Sequence, residues 1–175
     1  MKIDKDLPLE VACLIGCGVP TGFGSAVNAA EVKPGDVTMI LGAGGIGMNA
    51  VQGANYAGAR RVIVVDPEPF KRDTALKLGA TDVFDSIEEA DALAKSLTNG
   101  QGTDSTIVTV GVTTGEHVRQ GYETVRKAGT LVVTGQGSTS STISSAGDLG
   151  SRSRLNSGVV GRPSRLSVRA NPGVI

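Results

Sequence analysis

Six residues, Gly42-Ala43-Gly44-Gly45-Ile46-Gly47, have the most specific chemistry in this 175-residue chain. They form a G-x-G-x-x-G turn after a β-branched run, Val37–Leu41, and before an Ala-rich segment near Gly45–Ala57. Between a strand and a helix, each glycine has a physical role. Gly42 permits the sharp turn, Gly44 lacks the Cβ that would block a pyrophosphate, and Gly47 lets the helix pack close to the strand. Amides at the helix N-terminus then face the phosphates with a favourable dipole. The next run, Val62-Ile63-Val64-Val65, ends in Asp66, 19 residues after Gly47. A carboxylate there can accept both hydroxyls of an adenine ribose and would repel a 2′-phosphate, which favours NAD over NADP. Lys71 and Arg72 weigh slightly the other way, because a cation near the ribose could hold a phosphate. Arg72 reads by default as part of a solvated helix face. The plainer alternative is a tight strand–helix turn followed by a capping Asp. Context and spacing together favour the dinucleotide.

Two further residue types could do chemistry. Cys13 and Cys17 are the only cysteines, spaced as neighbours on a helix and too few for a disulfide scaffold. Free cysteine is among the most buried residue types, so an i, i+4 buried pair is the structural expectation. A reducing, cytoplasmic setting is the default for such a chain. The single histidine, His117, falls in a helical segment and is expected to be exposed.

These residues need elements to hold them. From Asp36 to Thr134, short β-branched runs alternate with longer amphipathic segments. The runs are Val37–Leu41, Arg61–Val65, Asp82–Phe84, Ser105–Val110 and Thr130–Thr134. The segments lie near Gly45–Ala57, Glu68–Leu78, Glu88–Leu97 and Glu116–Arg126. Nearly continuous Val and Ile suit strands buried on both faces. Five strands linked by four helices, with right-handed crossovers, predict an α/β fold with a doubly wound, Rossmann-type parallel sheet. Pro34-Gly35-Asp36 reads as a turn, and Leu78-Gly79-Ala80 as a helix end with Gly in the left-handed position. Before the series, Leu9–Leu14 and Gly22–Ala30 look helical. Gly16, Gly18, Gly22 and Gly24 interrupt them and suggest tight turns or close backbone approach.

Composition divides the chain near Gly135. Residues 1–135 hold all seven lysines, all five aromatics and sixteen of the seventeen acids; residues 136–175 hold ten serines, five arginines and one aspartate. Three parts follow: a helical lead-in at 1–30, a dinucleotide-binding domain at 31–137, and a Ser/Arg/Gly tail at 138–175. With so little apolar surface, the tail is expected to stay disordered. Lysine plus arginine equal aspartate plus glutamate, 17 each, which gives no electrostatic case for nucleic acid or an anionic membrane. The tail's arginines lack interleaved aromatics for stacking on RNA. No apolar run reaches the roughly 18 residues of a membrane span. Met1 to Leu9 is polar, without the apolar centre of a signal peptide.

The segment PLEVACLIGCGVPTGFGSA, Pro8–Ala26, joins the PGD turn, ILGAGGIGMNAVQGA, AGARRVIVVD and ALKLGATD. Together they resemble the zinc-dependent medium-chain alcohol dehydrogenases, above all the bacterial NAD-linked members. The resemblance covers residues 1 to about 138, and its CLIGCG-x-x-TG-x-GSA block is its specific part. It implies hydride transfer between an alcohol and NAD, with a small alcohol or aldehyde as substrate. By resemblance, Cys17 is a catalytic zinc ligand. Thr21 lies against the nicotinamide, with Ile46 behind the ring. Asp66 and Lys71 hold the adenine ribose, and Val110 lines the nicotinamide pocket. In the family, zinc lowers the alcohol's pKa so that an alkoxide can donate hydride, and its site takes three protein ligands. Cys17 is the single ligand this chain supplies, so zinc is not expected to be held by this chain alone and the isolated chain is catalytically incomplete. His117 matches no ligand position. The family forms homo-oligomers through a sixth strand that is not recognisable here, so oligomerisation is not expected of this chain. A fifth strand left at a sheet edge, and a tail of out-of-frame or otherwise non-homologous sequence on a fragment starting at Met1, complete the expectation.

Other readings are open to the same residues. A methyltransferase using S-adenosylmethionine also has a glycine turn after its first strand and an acid after its second. Gly47 and the CLIGCG block argue against it. A non-enzymatic NAD-binding or subunit-interaction module is a further reading. A zinc-free quinone reductase is disfavoured by Cys17 and Asp66.

Overall fold

In the computed structural model, residues 4–134, 136–137 and 154–157 are described. The sheet begins at a tight turn. Asp36 N donates to the Lys33 carbonyl (3.1 Å), its carboxylate accepts from Lys33 N (2.8 Å), and Gly35 takes φ +95°. Pro34 and Gly35 are the residues that such a turn needs at its two central positions. Strand β1, Val37–Leu41, follows and is buried along its whole length.

Helix α3 (Gly45–Tyr56), β2 (Arg61–Val65), α4 (Pro69–Lys77), β3 (Asp82–Phe84), α5 (Ile87–Leu97), β4 (Thr103–Val108), α6 (Gly115–Thr124) and β6 (Val125–Val133) complete the predicted series. Between β4 and α6 lies a two-residue strand, β5 (Val112–Thr113), which pairs in parallel with β7 (Gln136–Gly137). All pairings in the main sheet are parallel, in the order β3-β2-β1-β4-β6-β8, where β8 is Arg154–Ser157. That is the doubly wound order with the reversal between β1 and β4.

The sheet is covered on both sides, which explains the continuous apolar runs. On one face Val37, Met39, Leu41, Ile63, Val108 and Leu131 pack with Ala90 and Ala94 of α5. On the other, Ile40, Val62, Val64, Ile107 and Val132 pack with Ala50, Val51 and Ala54 of α3.

Three expectations need correction. The first concerns the sheet edge and the tail. Strand β8, Arg154–Ser157, pairs with β6 from Thr130↔Arg154 to Val133↔Ser157. The fifth long strand is therefore not an uncovered edge, and these four tail residues pair with it. The strand is placed by backbone pairing with β6, which its Arg-Leu-Asn-Ser composition does not mark. The rest of 138–175, and the expectation of disorder there, lies outside the described residues.

The second concerns boundaries. β4 ends at Val108, two residues before the expected end, and β6 starts at Val125. Its register against β4 shifts between Thr103 and Ser105, and Ala128 sits at φ +64°. Periodicity does not foretell such a bulge.

The third concerns the lead-in. It forms α1 (Leu9–Ile15), α2 (Gly18–Gly24) and a π-helical turn (Ser25–Ala29). Cys17, at φ −143°, stands in the break between α1 and α2 rather than one helical turn after Cys13. Both thiols are free and exposed, so the buried pair is not formed. Helix α1 buries no residue, and Leu9, Val11, Leu14 and Ile15 are exposed. Of the glycines in α2, Gly22 brings backbones together, since a Cβ there would lie 2.1 Å from the Ile46 carbonyl oxygen, whereas one on Gly18 would meet nothing. Among the described residues no single helix is long and apolar enough to cross a membrane.

Candidate functional site

The glycine turn leaves the C-terminal end of β1 and enters α3. Gly42 takes φ +93°, a backbone region open to glycine and strained for other residues, and its N–H donates to Val65 O (2.8 Å). Gly44 is the N-cap of α3 and has no side chain with which to satisfy the first-turn amides. Cβ atoms built on Gly44 or Gly45 would point into open space. On Gly47, a Cβ would lie 2.0 Å from Gly42 O and 2.8 Å from Thr109 Oγ1. Gly47 therefore sets the distance between helix and sheet, whereas Gly44 and Gly45 keep the outer side of the turn clear.

Asp66 follows β2 at the same end of the sheet and is 4% exposed. Its Oδ2 accepts from Ala43 N (2.8 Å), and its Oδ1 accepts from Glu68 N (2.9 Å). Lys71 Nζ lies 3.6 Å from Oδ2. An ionised carboxylate has about four acceptor sites, so these bonds leave acceptor capacity on both oxygens. Arg72 is not a solvated face residue: it is half-buried, and Nη1 donates to the carbonyls of Asp66 (2.7 Å) and Pro67 (2.8 Å). Its guanidinium holds the turn into α4.

Val110 lies beside the turn, its N 3.1 Å from where a Gly42 Cβ would stand. The close approach of Gly22 to Ile46 O brings Thr21, its chain neighbour, to the first turn of α3. Thus Gly42, Gly44, Ile46, Gly47, Asp66, Lys71, Val110 and Thr21 converge around the ends of β1, β2 and β4. Cys17 stands at the margin, with Sγ 4.0 Å from Thr21 Oγ1. His117 does not join them. It is half-buried rather than exposed, and Nδ1 accepts from Thr114 N (3.2 Å), capping α6. One residue of this site escaped the sequence reading: Thr109, whose Oγ1 lies 2.6 Å from Gly42 O and 3.1 Å from Leu41 O. Its only signal was a position at the end of the fourth strand, beside Val110.

The zinc-binding dehydrogenase family matches residues 45–167. The chain belongs to this family. The family match runs on through residues 138–167. The chain is 51% identical over 135 residues to the NDMA-dependent alcohol dehydrogenase of Amycolatopsis methanolica, covering 77% of this chain and 36% of that protein. It is 49% identical over 138 residues to alcohol dehydrogenase B of Mycobacterium tuberculosis, covering 79% and 37%. Among solved structures it is similar to the apo form of zinc-dependent alcohol dehydrogenase 2 from Streptococcus pneumonia. That likeness has a TM-score of 0.78 at 26% identity, over 91% of this chain and 46% of that one. The chain therefore spans little more than a third of the length of these curated relatives. Nothing in these likenesses supports the methyltransferase reading.

Membership of a zinc-binding family makes the donor set a test. Among the described residues no three His, Cys, Asp or Glu side chains are grouped to hold a metal ion. A catalytic zinc needs three protein ligands. Cys17 offers one sulfur ligand on an exposed loop, so the described residues do not fit the metal.

Proposed function

We propose that this chain is the NAD-binding part of a zinc-type alcohol dehydrogenase and depends on further protein for its zinc and its alcohol. The observation that supports this best is the clear outer side of the glycine turn, with buried Asp66 beside it. In this reading the first-turn amides of α3 receive the pyrophosphate, as helix N-termini do with anions. Asp66 accepts from the adenine ribose hydroxyls with its spare lone pairs and disfavours a 2′-phosphate. Lys71, 3.6 Å from Asp66, borders the same ribose. Thr21, Ile46 and Val110 bound the nicotinamide side. When bound, NAD supplies the hydride acceptor for oxidation of a small alcohol to an aldehyde. The residues of this chain bind and orient it; the alcohol-activating part of the reaction needs donors beyond Cys17. The NDMA-dependent relative makes NDMA a sensible addition to assays of the completed enzyme. A cytoplasmic setting, the default for a chain whose two cysteines are unpaired, belongs to the same proposal, as does the expectation of neither nucleic acid nor membrane as partner.

A fluorescence titration of the 175-residue chain with NADH and, separately, S-adenosylmethionine tests the reading. NADH should bind with enhanced nicotinamide emission, and S-adenosylmethionine should not compete. Failure to bind NADH, or displacement by S-adenosylmethionine, would overturn it.

A further inference from the structure

One peptide group in the glycine turn is held at both ends by buried side chains. The carbonyl of Gly42 accepts from Thr109 Oγ1 at 2.6 Å, and the amide of Ala43 donates to Asp66 Oδ2 at 2.8 Å. These two groups belong to the same trans peptide, so they point in opposite directions. Thr109 reaches it from the end of β4 and Asp66 from the end of β2, and both are buried. Thr109 is itself fixed: its N donates to Leu41 O at 2.8 Å. The Cα of Gly47 packs against the pair closely enough that an added Cβ would lie 2.8 Å from Thr109 Oγ1. Gly47 thus closes one side of the hydroxyl.

We infer that Thr109 is a positioning residue for the dinucleotide, clamping the Gly42–Ala43 peptide together with Asp66. This rests on the dinucleotide reading of the site. Gly42 has φ +93° and no Cβ, so little steric resistance opposes rotation of the peptide that follows it. A rotated peptide would turn a carbonyl oxygen toward the phosphates and withdraw the Ala43 amide from Asp66. The clamp holds the turn in the orientation that presents amides outward and keeps Asp66 aligned for the ribose. Asp66 is thus both a ribose acceptor and one jaw of the clamp, and Thr109 is the jaw that touches no ligand.

The test compares NADH affinity and melting temperature for the 175-residue chain and its Thr109→Val, Thr109→Ser and Thr109→Cys variants. Valine keeps the shape and loses the donor; serine keeps the donor and loses a buried methyl. Thr109→Val should weaken NADH binding about tenfold, the loss expected when a buried carbonyl is left without its partner. Thr109→Ser should bind within about twofold of the parent, its donor being intact, while melting at a lower temperature. If Thr109→Val does not fold, Thr109→Cys, a weak donor of similar size, must bind more weakly than Thr109→Ser. Parental affinity in Thr109→Val, or in Thr109→Cys where that variant stands in, would overturn the inference and leave the dinucleotide reading intact. Affinity losses that merely follow melting temperature across the series would overturn it in the same way. A parent chain that does not bind NADH would overturn both.

Discussion

Gly44 and Gly47 belong to one motif and answer to different constraints. A methyl at position 47 would collide with the Gly42 carbonyl at 2.0 Å, whereas one at position 44 would meet only open space. Gly47→Ala should therefore destabilise the fold by about 1–3 kcal/mol, the usual penalty of overpacking, read by thermal or urea unfolding. Gly44→Ala should melt like the parent, since φ −79° suits alanine, yet bind NADH more weakly. Equal melting temperatures for the two variants would contradict this division of roles. Asp66→Ala should cost about 1.5–3 kcal/mol in NADH binding, as for hydrogen bonds to a charged group. It should also lower stability, because Ala43 N and Glu68 N lose their acceptor. Calorimetric titration and a melting curve check the two parts. The glycine roles and Asp66 were legible in the sequence because the motif is local and its spacing is fixed. Thr109 was not, because its bond to Gly42 spans 67 residues and no short pattern marks it. Cys13 was misread because burial statistics for cysteine say nothing about whether α1 has a surface to pack on.

The elements divide in the same way. β1, β2 and β3 occupy the expected residues, since each is a short β-branched run between turn signals. The irregular start of β6 depends on Ala128 at positive φ and on close contact of Gly129 with Asp104 O, which are tertiary matters. β8 has Arg, Leu, Asn and Ser, and its place comes from backbone pairing with β6. That pairing bears on solubility. An apolar strand left without its neighbour is a template for intermolecular pairing. Truncation after residue 137 should therefore uncover β6 and promote self-association, measured by analytical ultracentrifugation against the full chain. A truncated chain that stays as monodisperse as the parent would show that β8 does not protect the edge.

At the scale of the molecule, the chain corresponds to 36% and 37% of two alcohol dehydrogenase relatives, and its described residues group no metal-binding set. The division of labour follows from that. In the proposed reading the doubly wound sheet and α2 place the dinucleotide residues, whereas alcohol activation needs ligands that the described residues do not supply. Alcohol oxidation by the purified chain should be absent with or without added zinc. Zinc-dependent turnover that disappears in Cys17→Ser, with no other protein present, would contradict this.

The central claim is that the glycine turn and Asp66 form an NAD site, and calorimetric titration of the 175-residue chain with NADH and NADPH side by side tests it most directly. NADH should bind at least about tenfold more tightly than NADPH, because a 2′-phosphate would meet the Asp66 carboxylate while Arg72 is already engaged by two backbone carbonyls. Equal affinity for the two coenzymes, or binding of neither, would contradict it.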